Sequence, residues 1–437
     1  MHPMAVVERF RWYAAALAAT MVLTVLAAAP TRAADESWVL EASTAARGKD
    51  LLPEPVLKRV RAGEYRFKVV PADPARFHDN YSRPFWEASA ANAGKYDLDP
   101  KTCGLREKAT GKAPEFYFGY PFPDVKATDP DAGCRIAWNF TAAGYMAGGT
   151  GASFYLTGLD KNGAYRTIRT RLQAMAFVGR HGGPIPNPEH VAVKATSVAL
   201  EPADVEGVST LTVRHVDWEK PDDMWAFVPQ VRRARRVNAA SRSEPVAGMD
   251  IFADDINCFA GKVETYKWKL VGEGQILAPI VAQPYALPMN PVSPTRWEIP
   301  TPALKARFES GDGPGVPWLI TEGLVFVPRP VWIVEGTSTD PYYNFGKVTM
   351  YFDRDMYRIY WKLVNNRGGE YFYNAMCGYT FGRTADGSRS AVLPTVVVGV
   401  NDKTNRAAIG GRPQDQIVED KFDPAEFTLK AITRSID

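Results

Sequence analysis

The feature that most constrains this chain is a succession of short runs in which apolar and polar residues alternate, each closed by a turn signal. Residues 151–159 and 164–178 flank Asp160-Lys161-Asn162-Gly163, a hairpin signature. Leu211, Val213 and His215 alternate with Thr210, Thr212 and Arg214, and Lys220-Pro221-Asp222-Asp223 turns the chain into 224–228. In 263–271, Tyr266, Trp268 and Leu270 share one face, with Thr265, Lys267 and Lys269 on the other. Val348, Met350 and Phe352 alternate likewise, Asp353-Arg354-Asp355 turns, and Tyr357, Ile359, Trp361 and Leu363 are read on one face of the next strand. Asn365-Asn366-Arg367-Gly368-Gly369 leads on to 370–377. Sequential hairpins of this kind predict a mainly β (α+β) protein built on a strongly curved antiparallel sheet. Segments 272–330 and 383–420 are Pro/Gly-rich and read as less regular. Short helices are expected at 51–62, where Val56, Leu57 and Val60 form an apolar stripe, and at 423–435.

Composition excludes the extremes. Of 437 residues, 46% are hydrophobic and 23% charged, which is neither a disordered chain nor a polytopic membrane protein. Aromatics reach 12%, with 35 Gly and 34 Pro, favouring strands and turns over a helical bundle. Arg9 and Arg11 precede an apolar run over 13–29 and small residues around Ala33-Ala34, the order of a secretory signal cleaved near Ala33/Ala34. Removing Arg9, Arg11, Arg32 and Glu8 takes the net charge from +3 to +1, so no nucleic-acid partner is expected.

Export makes the four cysteines a disulfide question. Proximity favours Cys103 with Cys134, while the pairing of Cys258 and Cys377 stays open. No two cysteines lie close enough for a zinc ribbon, and His78, His181, His190 and His215 lack ligand spacing, so neither metal nor cofactor is expected. No G-x-S-x-G, Walker, G-x-G-x-x-G or H-E-x-x-H motif occurs, which ranks a secreted hydrolase last among the functions considered. Arg232, Arg233, Arg235 and Arg236 straddle Ala234. Strand alternation sends Arg232 and Arg236 to one side and Arg233 and Arg235 to the other. One pair then either marks an exposed edge, pairs inward with Asp254 or Asp255, or meets an anionic headgroup.

Trp225-Ala226-Phe227-Val228-Pro229, the arginine run and Asp254-Asp255 follow one another. So do Pro114-Glu115-Phe116 with Tyr120-Pro121-Phe122-Pro123, Ile136-Ala137-Trp138-Asn139, and Val331-Trp332-Ile333-Val334-Glu335-Gly336. Across residues 48–437 these stretches resemble a proteobacterial family of exported proteins catalogued as a domain of unknown function, itself similar to the LolA/LolB outer-membrane lipoprotein carriers. The resemblance implies an unclosed half-barrel of LolA/LolB type over 34–437, turn-rich over 34–145 and sheet over 146–437. It also implies a non-enzymatic periplasmic carrier or chaperone for a lipid or other hydrophobic molecule. Members are often encoded beside resistance-nodulation-division exporters, so an inner-membrane exporter and an outer-membrane protein are the expected partners. An exporter scaffold without cargo is the alternative. Tyr266, Trp268, Phe352, Tyr357 and Trp361 are the expected apolar lining, because aromatic strand faces exceed the needs of one thin sheet.

Overall fold

The two-residue turn Lys161-Asn162 starts the sheet. Asp160 pairs with Gly163, whose φ of +118° suits glycine, and twelve- and fourteen-residue strands run antiparallel away from it. A computed structural model describes residues 36–311 and 313–434 of the chain. The leader read over 1–33 lies outside the described residues. Among the described residues, those from Ser37 onward form one compact unit.

In chain order, the strands that matter below are β1 (Trp38–Leu40), β2 (Phe67–Val69), β3 (Gly149–Asp160), β4 (Gly163–Ala176), β5 (Val191–Glu201), β6 (Ser209–His215), β7 (Asp223–Val228) and β8 (Arg233–Val237). They are followed by β9 (Tyr266–Val281), β10 (Leu324–Ser338), β11 (Phe345–Asp353), β12 (Ile359–Asn366), β13 (Tyr371–Arg383), β14 (Ser390–Asn401) and β15 (Arg406–Glu419). All belong to one 18-stranded sheet. Antiparallel neighbours run from β8 through β7, β6, β5, β4 and β3 to β15, then through β14, β13, β12, β11 and β10 to β9. The sheet is unclosed. No described residue pairs with the outer edge of β8. At the other end the sheet curls until Ile280 of β9 bridges Tyr379 of β13. This mainly β architecture is the one that the hairpin succession predicts.

The helices α1 (Glu54–Arg61), α2 (Arg83–Ala91) and α3 (Ala132–Tyr145) pack against it, and the segment expected as a helix over 423–435 is a 3-10 turn at Pro424–Phe427 followed by a helix at Leu429–Arg434 against β6, β7 and β8. In α1, Val56, Leu57 and Val60 are buried, as the apolar stripe predicts. α3 is buried on nearly every side: Cys134, Ile136, Ala137, Asn139, Phe140, Ala142 and Ala143 all face protein. It sits directly on β9, where a Cβ on Gly133 would lie 3.0 Å from Lys269 N and 3.1 Å from Trp268 C.

Three expectations are corrected. Segment 383–420 holds β14 and β15, two long strands, rather than irregular chain. Most of β14 is buried, so it lacks the alternation that marks a half-exposed strand. Likewise β9 continues to Val281, past the start of the segment read as irregular, while Val263–Thr265 is a 3-10 turn rather than strand. Tyr357 and Trp361 do not share a face with Phe352. Tyr357 sits in the turn before β12 with φ +48°. A β-bulge then intervenes: Phe352 pairs with Ile359 and Tyr351 with Trp361, leaving Tyr360 as the extra residue. One inserted residue sends Trp361 to the opposite side of the sheet.

Candidate functional site

One face of the sheet carries Tyr266, Trp268, Met350, Phe352 and Lys362. Register places them there together: Trp268 lies opposite Gly336, Gly336 opposite Val348, and Met350 opposite Lys362. α3 and residues 249–259 cover this face. Phe352 meets Phe140 of α3 edge-on at 5.8 Å, and Tyr266 meets Phe259 at 5.0 Å. These aromatics are therefore core contacts of the covering elements. Tyr357 packs on Tyr120 at 4.8 Å. Trp361, on the other face, stands near Phe67 at 6.4 Å and donates its indole N–H to Leu277 O at 2.8 Å. It lines a separate cavity of about 20 Å³ with Tyr65, Phe67 and Trp318.

A buried ionic chain ties the 249–258 segment down. Lys362 Nζ lies 2.6 Å from Asp255 Oδ1 and 3.7 Å from Asp254 Oδ2, and all three side chains are at most 1% exposed. Tyr373 donates its hydroxyl to Asp255 at 2.6 Å and Tyr343 to Asp254 at 2.7 Å. Arg242 stands 3.6 Å from Asp254 and 3.7 Å from Asp222, which in turn holds Arg214 at 2.7 Å. Burial pushes the Asp254 carboxyl upward, against the pull of Lys362 and Arg242. Cys258–Cys377 fastens the segment's end to β13, with Cα atoms 5.8 Å apart. Cys103–Cys134 joins the turn-rich region to α3 at a Cα separation of 6.0 Å.

The arginine run does not reach these carboxylates. Arg232 ends a 3-10 turn with φ +53°, and Arg233, Arg235 and Arg236 lie on β8, all four exposed. Arg236 pairs with Asp223 of the neighbouring strand. The expected inward pairing with Asp254 or Asp255 is thus replaced by Lys362 and Arg242. β8 is a free edge whose arginines all reach water, although Ala234 between them packs against the cluster of Phe422, Phe427 and Ile432, so no guanidinium there has to be desolvated. A lysine amid the apolar run Ile359-Tyr360-Trp361-Lys362-Leu363-Val364 was the signal for Lys362.

The larger cavity lies between α3 and the β5–β6 side of the sheet. It measures about 30 Å³, room for about two waters. Leu105, Pro114, Trp138, Val178, Ala192, Val216 and Val263 make most of its wall. Tyr117, Tyr145, Arg214, His215, Lys262 and Glu264 make its polar end. None of the aromatics expected as lining, and none of the four arginines, reaches this cavity. The Tyr117 hydroxyl and His215 Nδ1 are buried without a hydrogen-bond partner, and the buried Tyr145 hydroxyl faces the Arg214 guanidinium. His215 Nε2 lies 2.9 Å from Asp223. Glu264, with its side chain 4% exposed, stands 3.9 Å from Lys262 Nζ. Burial pushes its carboxyl up to about 7 and the Lys262 ammonium down. Among the described residues there is no cluster of His, Cys, Asp and Glu suited to a metal ion, and no helix long and apolar enough to cross a membrane.

No curated protein matches the chain. Among solved structures it is similar to a domain from Vibrio parahaemolyticus named for outer membrane lipoprotein sorting, at 15% identity and a TM-score of 0.48, covering 70% of this chain and 100% of that one. A DUF1329 family protein from Desulfovibrio piger aligns at 14% identity and a TM-score of 0.46, over 70% and 100% of the two chains. A LolA superfamily protein from Nitrosomonas europaea aligns at 12% identity and a TM-score of 0.39, over 67% and 96%. The family model described as "Protein of unknown function (DUF1329)" matches residues 39–409, and the chain belongs to that family.

Proposed function

We propose that the protein is a non-enzymatic extracytoplasmic carrier or chaperone for a hydrophobic molecule, held between α3 and the sheet. The observation that carries this reading is the cavity there, walled mainly by apolar side chains and closed at one end by polar groups, among which the Tyr117 hydroxyl lacks a partner. Two disulfides suit an oxidising compartment. Each methylene buried contributes about 0.8 kcal/mol, so no cofactor is needed to drive binding. A cavity that holds about two waters admits an acyl chain only when α3 or the 113–117 segment moves off the sheet. The test is displacement of a fluorescent fatty acyl probe. Saturable binding by the wild type, weakened at least tenfold by Thr141→Phe on the cavity wall with the melting transition retained, supports carriage. No saturable binding by any lipid class overturns it.

A second reading, an accessory subunit of an exporter, draws on the free edge of β8 with Arg232, Arg233, Arg235 and Arg236 exposed. Retention of a candidate exporter by the wild type, abolished when the four arginines become glutamate, would favour it.

A further inference from the structure

The polar end of the α3 cavity has a charge inventory that separates ligand headgroups. Arg214 already gives Nε and Nη2 to Asp222, at 3.0 and 2.7 Å, and Nη2 also donates to Ala260 O at 2.7 Å. The Lys262 ammonium donates to Asp217 O and Lys220 O at 2.7 Å each, and its remaining neighbour is Glu264 at 3.9 Å. Both cations are thus engaged, and their charges are matched by Asp222 and Glu264. What remains is neutral or acceptor chemistry: the buried Tyr117 hydroxyl and His215 Nδ1, both without partners, and the Glu264 carboxylate, whose 3.9 Å from Lys262 is too long for a hydrogen bond, while the Tyr145 hydroxyl is turned to the Arg214 guanidinium. A buried hydroxyl without a partner costs about 1–3 kcal/mol, and a ligand group that satisfies it recovers that cost.

Resting on the carrier reading above, we infer that this end of the cavity takes an uncharged hydrogen-bonding headgroup, a hydroxyl or an amide on an apolar body, and rejects a carboxylate or phosphate. A hydroxyl or amide N–H donates to Glu264, while its oxygen accepts from Tyr117. An anionic head meets the Glu264 carboxylate with no uncommitted cation nearby, and like charges in a desolvated site repel strongly. The groups facing Glu264 are Lys262 on its own turn, Arg214 from β6, Asp222 from the turn before β7, and the hydroxyls of Tyr117 and Tyr145.

The test is displacement of N-phenyl-1-naphthylamine from the purified protein at pH 8, where the Glu264 carboxyl is ionised. Dodecanol, N-methyldodecanamide and dodecanoate are compared at equal chain length. Dodecanol and the amide are expected to displace the probe at concentrations at least tenfold below dodecanoate. Glu264→Gln is expected to bring dodecanoate within threefold of dodecanol, and Tyr117→Phe to weaken dodecanol about fivefold while leaving dodecanoate unchanged. Equal potency of all three in the wild type, or dodecanoate the strongest, overturns the headgroup inference while leaving carriage standing. Persistence of the tenfold preference in Glu264→Gln overturns the assignment to that carboxylate. Failure of the probe and of every amphiphile to bind overturns the carrier reading and this inference with it.

Discussion

Lys362 Nζ lies 2.6 Å from Asp255 Oδ1, with neither side chain more than 1% exposed, and this contact anchors the covering segment to the middle of the sheet. Removing the ammonium leaves two adjacent buried carboxylates with Arg242 as the remaining nearby cation. Lys362→Met is expected to lower unfolding stability by about 3–5 kcal/mol in urea titrations. A change below about 1 kcal/mol would mean that Asp254 and Asp255 do not depend on Lys362.

Each single change of Arg232, Arg233 or Arg235 to Met is expected to stay within about 0.5 kcal/mol, because these side chains are exposed and unpaired among the described residues. Replacing all four arginines of the run with Thr should instead promote self-association through the free β8 edge. Light scattering after size exclusion reads this, and an unchanged monomer fraction would show that the charges do not guard the edge.

The pH profile contains two opposed contributions. Glu264 is raised by burial from 4.5 to about 7. Its native state holds a proton that the unfolded state releases, so its contribution is fully present below pH 4.5 and is lost as pH rises to about 7. His181 is lowered from 6.5 to about 3, by burial first and then by Arg389 and Arg180. Its contribution is present above pH 6.5 and is lost as pH falls. Between pH 4.5 and 6.5 each amounts to about 3 kcal/mol, of opposite sign. Together these two groups leave the wild type nearly level there. Glu264→Gln should expose a loss of stability on acidification, and His181→Asn a loss on alkalinisation. Parallel profiles for wild type and both variants would refute the assignment.

Cys258–Cys377 closes a separation of 119 residues and Cys103–Cys134 one of 31. Chain entropy then predicts a larger loss for Cys258→Ser/Cys377→Ser, about 4–5 kcal/mol, than for the other double variant, about 3–4 kcal/mol. Thermal melts of the two variants test the order.

Trp361→Phe should cost about 2–4 kcal/mol, since it deletes the indole hydrogen bond to Leu277 O in a buried site. It should leave probe binding in the α3 cavity unchanged, because Trp361 lies on the other face of the sheet. Weakened binding at full stability would place the ligand near Trp361 instead.

Legibility followed exposure. β6 and much of β11 alternate between buried and half-buried positions, so period-two alternation marked them, and the turn between Asp160 and Gly163 marked β3 and β4. β14 is apolar along most of its length, and α3, written Ala-Gly-Cys-Arg-Ile-Ala-Trp-Asn-Phe-Thr-Ala-Ala-Gly-Tyr, lacks the polar stripe that identifies a surface helix. Neither element announces its periodicity. Of the polar site, Asp254 and Asp255 stood out as a carboxylate pair. Their partners Lys362 and Arg242 lie 107 and 12 residues from the nearer aspartate in chain terms, and only packing brings them together.

The sequence by itself determined the class: hairpin turns and alternation require an antiparallel sheet, because tight two-residue turns hold antiparallel neighbours and side chains repeat every two residues. For the arginine run it left an exposed edge, inward pairing and headgroup capture open, and only the tertiary structure placed it on a free edge. Tertiary structure decided which aromatics face which way, since a single bulge at Tyr360 reverses Trp361. It likewise decided where a cavity remains, because that depends on how closely α3 seats on β9 through Gly133. Facing and fit are properties of two elements at once, and no local stretch of chain encodes both.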